Sequence, residues 1–211
     1  MCGRFTLTAT VDDLMAAFPM IRFVDIETAP RGNICPTQQV LGVRRMENDP
    51  ISACWFRWGL VPFWAKDLKI GASMINARAE TVVEKPAFRT AFKKRRCLIV
   101  ADGFIEWTGE KKVRKPWHIT FADRRPMTFA GLWERWGEAD NVVETCTIVT
   151  TSANDAMSKL HDRMPVFISE RDRERWLDCS PCEPGLLTEM LRPYPGDDLA
   201  FAPIESPLPK A

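Results

Sequence analysis

Between Cys97 and Thr150 the chain is written as strand after strand, with almost no room for a helix. Residues 97–101 are an apolar run. Residues 104–108, 117–121 and 127–133 read as a meander whose turns fall at 109–112 and 122–125. Residues 144–150, rich in Thr, Ile and Val, make a further strand. Strands joined by short polar turns pair antiparallel, because a parallel pairing needs a crossover of a dozen or more residues. This stretch therefore favours a mixed α+β fold over the strand–helix alternation of a doubly wound one, and sets the frame for the rest.

The flanking segments fit that frame. Residues 3–8 read as a strand. Thr10 is placed as the N-cap of a short helix, with Asp12 and Asp13 in its first turn and Leu14, Met15, Ala17 and Phe18 on its apolar side. Pro30, Gly32, Asn33 and Pro36 make 25–38 an irregular loop. Residues 39–45 and 51–57 are strands around a turn at 47–50. Residues 58–67 are an aromatic loop, and 74–79 are short and mixed. Residues 86–96 form a helix that ends on basic residues. Ser152 or Asn154 caps a short helix through Leu160, 166–168 are a strand, and Ser169 caps a helix to about Asp178. Residues 184–192 form a last helix before a proline-rich tail. About eight strands and four short helices predict an α+β fold around a curved, mostly antiparallel sheet or partly open barrel, in one domain over residues 1–211. A chain of 211 residues buries enough surface to need no metal or disulfide staple.

Charge and cysteines narrow the function classes. Twenty-nine basic and 28 acidic residues nearly cancel, so nucleic acid would be held in a local basic groove and not by a general coat. Seven scattered cysteines are not a disulfide framework, and Cys179-Ser180-Pro181-Cys182 with two histidines in the chain makes a weak zinc motif. No metal and no cofactor is expected. There is no signal-like start and no apolar run of membrane-spanning length, so a cytoplasmic protein with reduced thiols is expected, monomeric and with no membrane partner.

Four polar residues sit in apolar settings. Cys2, next to the initiator methionine, would carry an α-amine and a thiol on adjacent carbons once Met1 is trimmed. Both groups titrate near neutrality in a free chain, at about 7.7–8.0 and about 8.5. Such an aminothiol reacts twice with an aldehyde, first through nitrogen and then through sulfur. Taken alone, Cys2 is more simply read as a small buried side chain in a first strand. Asn76 lies between Ile75 and Ala77, and reads as a buried amide or as a turn residue. Glu106, between Ile105 and Trp107, faces either solvent or a cavity, where desolvation would raise its pKa. His161 is at a helix end, where its cation is favoured, and is also a neutral-pH acid or base. His118, in mid-strand, receives no role. Arg4 and Arg78 stand beside Cys2 and Asn76, and Trp64 is the best candidate for an exposed stacking ring.

Together these segments resemble one family. Met1-Cys2-Gly3-Arg4-Phe5, Asn33-Ile34-Cys35-Pro36, Trp58-Gly59-Leu60-Val61-Pro62, Ile75-Asn76-Ala77-Arg78-Ala79-Glu80, Ala101-Asp102-Gly103-Phe104-Ile105-Glu106-Trp107 and His161-Asp162-Arg163-Met164-Pro165 look like the successive motifs of the SOS response-associated peptidase (SRAP) family. The resemblance spans residue 1 to about 178. Cys35 departs from the pattern, and the equivalence stops near Glu205. The resemblance implies recognition of abasic sites in single-stranded DNA, with a covalent DNA–protein crosslink through Cys2 after Met1 removal. It implies catalytic roles for Cys2, Asn76, Glu106 and His161. It implies DNA contacts at Gly3, Arg4, Pro36, Trp64, Arg78, Trp107, Thr150 and Arg163. Two other readings remain open from the residues themselves. One is a cysteine peptidase or N-terminal-nucleophile hydrolase using Cys2, His161 and Asn76. The other is a non-covalent single-strand binder using Trp64, Trp107 and the arginines.

Overall fold

Asp102 is the one residue between two strands that belong to different sheets. A computed structural model describes residues 2–46, 49–109, 114–138, 141–180 and 184–205. Met1, part of the 47–50 turn, most of the 109–112 turn, Cys182 and the tail beyond Glu205 lie outside the described residues.

Twelve strands are present among the described residues. They are β1 (Arg4–Leu7), β2 (Arg31–Ile34), β3 (Gln39–Arg44), β4 (Ser52–Trp58), β5 (Asn76–Arg78), β6 (Arg96–Ala101), β7 (Gly103–Thr108), β8 (Lys115–Phe121), β9 (Met127–Trp136), β10 (Val143–Ser152), β11 (Arg163–Pro165) and β12 (Leu199–Pro203). One sheet runs β12-β8-β7-β1-β2, all antiparallel. In the other, β10, β4, β3, β6 and β9 pair in succession, and β9 pairs back to β10, closing a small barrel. Closure removes free edges from a strand-rich chain. The fold is the α+β, mostly antiparallel, partly barrelled arrangement that the strand order predicts.

β10 is long enough to leave the barrel and serve other partners. Its far end pairs with β5 in parallel, Ile148 opposite Asn76 and Thr150 opposite Arg78. It also pairs antiparallel with β11, Thr151 opposite Met164. The two sheets meet through aromatic side chains. Phe5 of β1 lies edge-on to Trp58 at 5.1 Å and to Phe129 at 6.3 Å, and Phe104 of β7 approaches Phe129 at 6.1 Å. Edge-to-face pairs at such spacing contribute about 0.5–1.5 kcal/mol beyond area burial.

The corner at Asp102 is held by its carboxylate, which accepts from the hydroxyls of Thr6 (2.5 Å) and Thr8 (2.7 Å) and from the amides of Thr8 and Ala9. Thr6 Oγ1 also lies 3.1 Å from His118 Nε2. Gly103 is required next: a Cβ there would collide with His118 Nε2 and stand 2.9 Å from the Ile119 carbonyl. These contacts pin β1 against β7 and fix the depth at which the N-terminus enters.

Helix α1 (Val11–Ala17) has the expected cap, with Thr10 Oγ1 accepting from the Asp13 amide while Asp13 accepts from the Thr10 amide. Elsewhere boundaries move. The supposed loop 25–38 contains β2, whose Gly32 and Asn33 lack strand propensity; pairing with β1 makes it a strand. The 86–96 helix shrinks to α2 (Arg89–Lys94), because Arg96 opens β6 and is fully buried. Its guanidinium donates to the carbonyls of Phe92, Lys93, Trp176 and Asp178. The 152–160 helix is α3 (Asp155–Ser158), capped by Asn154, whose side chain accepts from the Met157 amide. The strand placed at 166–168 lies at Arg163–Pro165, with Phe167 keeping an isolated bridge to Phe129. The helix after Ser169 is a 3-10 turn, Glu170–Asp172, followed by α4 (Arg173–Leu177). The last helix is α5 (Pro184–Thr188), and part of the supposed tail is β12. Among the described residues no helix is long and apolar enough to cross a membrane.

Candidate active site at the chain start

Cys2 lies just ahead of β1 and is 0% exposed. Its thiol donates weakly to the Arg4 carbonyl at 3.8 Å. Burial pushes the thiol pKa well up, and the nearby Glu106 carboxylate pushes the same way. Relative to a free chain, the thiolate is disfavoured here.

Asn76 reaches Cys2 because β5 is carried on the end of β10. Its Nδ2 donates to the Cys2 carbonyl at 2.8 Å. Its Oδ1 is buried with no hydrogen-bond partner among the described residues. A buried amide oxygen left open beside the residue that its own nitrogen holds is a ready acceptor for an N–H donor.

Glu106 is 3% exposed. In the β1–β7 register Phe5 is opposite Phe104 and Arg4 opposite Ile105, so Glu106 shares the inner face with Phe104. Desolvation raises its pKa, while His161 nearby favours the charged form. Glu106, Trp107, His161, Gly3 and Arg4 line one cavity of about 480 Å³, with Gly109 and Arg114 completing the wall.

His161 follows α3 and precedes β11. Its Nδ1 accepts from the Arg163 amide at 2.9 Å, while Asp162 Oδ1 lies 2.8 Å from the same nitrogen. One ring nitrogen cannot accept from the first and donate to the second. The amide belongs to a paired strand, whereas the Asp162 side chain is 86% exposed. We assign the lone pair to Nδ1, which leaves the ring proton on Nε2.

The proposed DNA contacts divide. Arg4 joins the cavity and is oriented by Asn33, whose Oδ1 accepts from Arg4 Nη1 at 2.8 Å. Trp64 is 51% exposed and the neighbouring Phe63 is 63% exposed. Arg78 is exposed and Pro36 half-buried, both outside the cavity wall. Thr150 is fully buried, and its hydroxyl donates to the Ala77 carbonyl at 3.4 Å. Arg163 is already engaged: its Nη1 and Nη2 meet the two Glu80 oxygens at 2.5 and 3.0 Å, and Nη2 donates to the Thr150 carbonyl at 2.7 Å. This fork ties β11 and β10 to the residue just beyond β5, and so steadies the strand that carries Asn76.

Asn33, Glu80, Gly109 and Arg114 are residues that reading the sequence did not single out. Asn33 and Glu80 stand within two of the recurring motifs, which is the signal they offered. Arg114 stands in a basic run with Lys111, Lys112 and Lys115, a composition that suits a solvated turn and carries no signal of its own. Among the described residues no group of three or more His, Cys, Asp or Glu side chains gathers as a metal site.

Comparison with known proteins places the chain in a family. The abasic site processing protein YoqW of Bacillus subtilis is 40% identical over 210 residues, covering 98% of this chain and 93% of that protein. The abasic site processing protein YedK of Escherichia coli is 29% identical, over 84% of this chain and 79% of that protein. A crystal structure of a Bacteroides thetaiotaomicron protein superimposes with a TM-score of 0.84 at 23% identity, covering 97% of this chain and 92% of that one, and speaks for the fold alone. The family model described as SOS response associated peptidase (SRAP) matches residues 1–210, and the chain belongs to that family.

Proposed function

We propose that this protein captures abasic sites in single-stranded DNA as a covalent adduct of Cys2, formed once Met1 has been removed. The observation that carries the reading is the convergence on Cys2. Asn76 holds its carbonyl, and Glu106 and His161 face the adjoining cavity beside Gly3 and Arg4. The names of the relatives, abasic site processing proteins, support the same substrate.

The chemistry follows from the groups present. An abasic deoxyribose is mostly a closed hemiacetal. Glu106, biased towards its protonated form by burial, donates a proton that promotes opening to the aldehyde, with the His161 Nε2–H beside it. The Cys2 α-amine attacks C1′ and water leaves, giving a Schiff base. The open Oδ1 of Asn76 accepts an N–H of that amine and aims its lone pair. The Cys2 sulfur then adds to the C=N carbon, its proton passes to nitrogen, and a five-membered thiazolidine closes. One water is released overall. Each positioned acid or base contributes about 10²–10⁴ in rate.

The thiol's raised pKa supports the order amine first, sulfur second, and fits poorly with a peptidase that acts through a standing thiolate. Arg4 and Arg78 are suited to flanking phosphates, Trp64 to stacking on a base, and Pro36 to wedging against one. Arg163 and Thr150 act through the placement of β5. A single strand kinks at the lesion without breaking duplex stacking, which brings the sugar to a recessed terminus.

The test is a denaturing gel of the protein with a single-stranded oligonucleotide carrying one abasic site. A band of protein plus DNA is expected, absent with Cys2→Ala and with intact DNA. Absence of that band with Met1-free protein would falsify the proposal.

A further inference from the structure

The loop after β4 contains a tight turn made of residues that turns rarely use. The Ala65 amide donates to the Pro62 carbonyl at 2.9 Å, so Phe63 and Trp64 are the two corner residues. Corners are usually Gly, Pro, Asn, Asp or Ser, which bend the chain readily or bond to it. Here two large rings stand on the corner, 63% and 51% exposed. Neither belongs to the core or to the half-buried side chains packed against it. Neither meets another aromatic ring among the described residues. One exposed ring is ordinary, but two side by side on a turn that gains nothing from them point to a partner.

The turn is nevertheless held at both ends. Pro62 is buried, and Trp136, at the end of β9, donates from Nε1 to the Ala65 carbonyl at 2.7 Å. The segment leading into the turn is tied to the site at Cys2. The Leu60 amide donates to the Met74 carbonyl at 3.1 Å, and Trp58 Nε1 donates to the Ile75 carbonyl at 2.9 Å. Met74 and Ile75 run directly into Asn76. The Thr37 amide donates to the Trp58 carbonyl at 2.8 Å, which brings in the residue after Pro36. The two rings are thus mounted on the framework that carries Asn76.

Their size limits what they can hold. Two aromatic side chains bury about 300–500 Å² between them, well short of the roughly 1,000 Å² that a specific protein interface needs. They suit flat partners taken one at a time, and an unpaired base is such a partner. Lys66 follows at once, exposed and in no ion pair among the described residues, and matches a phosphate. Rings beside a cation are the make-up of a single-strand groove.

We propose that Phe63 is a second base-contacting ring, that it grips unpaired bases beside the lesion together with Trp64, and that Trp136 is the positioning residue that fixes their turn. This rests on the reading of the protein as a binder of single-stranded DNA, and adds a second ring and its support to the one stacking residue assigned above.

Fluorescence anisotropy tests it with a strand whose lesion is a tetrahydrofuran, which has no aldehyde and cannot crosslink. Phe63→Ala should weaken binding about fivefold or more, with an unchanged melting temperature. In a second strand the lesion and the two nucleotides on each side are all tetrahydrofuran, so the phosphates stay and the bases go. Wild type should bind that strand about fivefold less tightly, and Phe63→Ala should then cost less than about twofold. Trp136→Phe keeps a ring and removes the donor. It should weaken binding of the first strand roughly threefold or more, and add nothing in a Phe63→Ala, Trp64→Ala background, where a merely structural fault would still tell. Wild-type affinity in Phe63→Ala overturns the proposal, as does an equal loss on both strands. Trp136→Phe without effect removes its positioning role. Wild-type crosslinking to an aldehyde-bearing strand, run alongside, separates the two readings. A protein that crosslinks but is indifferent to Phe63 loses this inference alone. One that binds through Phe63 but does not crosslink loses the Cys2 chemistry alone, and one that binds neither strand loses both.

Discussion

Glu106→Gln should separate what the carboxylate does for the reaction from what it costs the fold. The swap keeps shape and removes the titration. Glu106 is 3% exposed, and burial raises its pKa above the ordinary 4.5. Between 4.5 and the raised value, the folded protein holds a proton that the unfolded chain has released. Wild-type stability must then fall as pH rises through that window, with a slope of up to about 1.4 kcal/mol per pH unit for this one group. Below 4.5 both states are protonated and the penalty vanishes. The Gln variant lacks this dependence. An imperfectly bonded amide adds an offset of about 1–3 kcal/mol, but that offset does not change with pH. The measurement is urea unfolding of both proteins from pH 4 to pH 8, read as the difference between them so that all other carboxylates cancel. The variant should gain on wild type as pH rises and then level off. Its single-turnover crosslinking at neutral pH should fall by about 10²–10⁴. A stability difference that is flat in pH, or a variant that crosslinks at the wild-type rate, would refute the reasoning.

Three further outcomes follow from named contacts. Trp64→Ala removes a 51% exposed ring, so folding should change by less than about 0.5 kcal/mol. Single-strand affinity, measured by fluorescence anisotropy, should weaken by about 1–3 kcal/mol. Glu80→Ala and Arg163→Ala, combined in a double-mutant cycle, should show a coupling of about 1 kcal/mol. The bidentate geometry favours the pair, and the 51% exposure of the Glu80 side chain screens it. Either single change should slow crosslinking while leaving Cys2 intact by peptide mass. Gly103→Ala forces a methyl group against His118 and the Ile119 carbonyl, and should lower stability by about 1–3 kcal/mol in a thermal scan.

What the sequence made legible follows physical lines. The strands from β6 to β10 could be read because each is long enough to display its own apolar or β-branched pattern. Thr10 announced α1 because a cap is a local interaction. β2, β5 and β11 could not be read in place, since each is three or four residues long and is strand only because a longer neighbour offers a ladder. The 86–96 helix was read too long because a run of basic residues suits a helix end, and nothing local says that Arg96 is buried among carbonyls 80 residues away. At the site, Cys2, Asn76, Glu106 and His161 were found as polar residues in apolar settings whose order matched a family. The pairs that hold them, Arg4 with Asn33 and Arg163 with Glu80, span 29 and 83 residues. So does the raised pKa of the Cys2 thiol depend on distant residues, because it comes from burial under the whole fold and from Glu106.

The reacting group proposed is the N-terminal aminothiol of Cys2. Intact mass of the protein, alone and after incubation with an abasic single strand, tests it most directly when followed by peptide mapping. A chain beginning at Cys2 is expected, with an adduct equal to protein plus oligonucleotide minus one water, located on the Cys2 peptide. Crosslinking by a chain that retains Met1, or an adduct on a lysine, would contradict it.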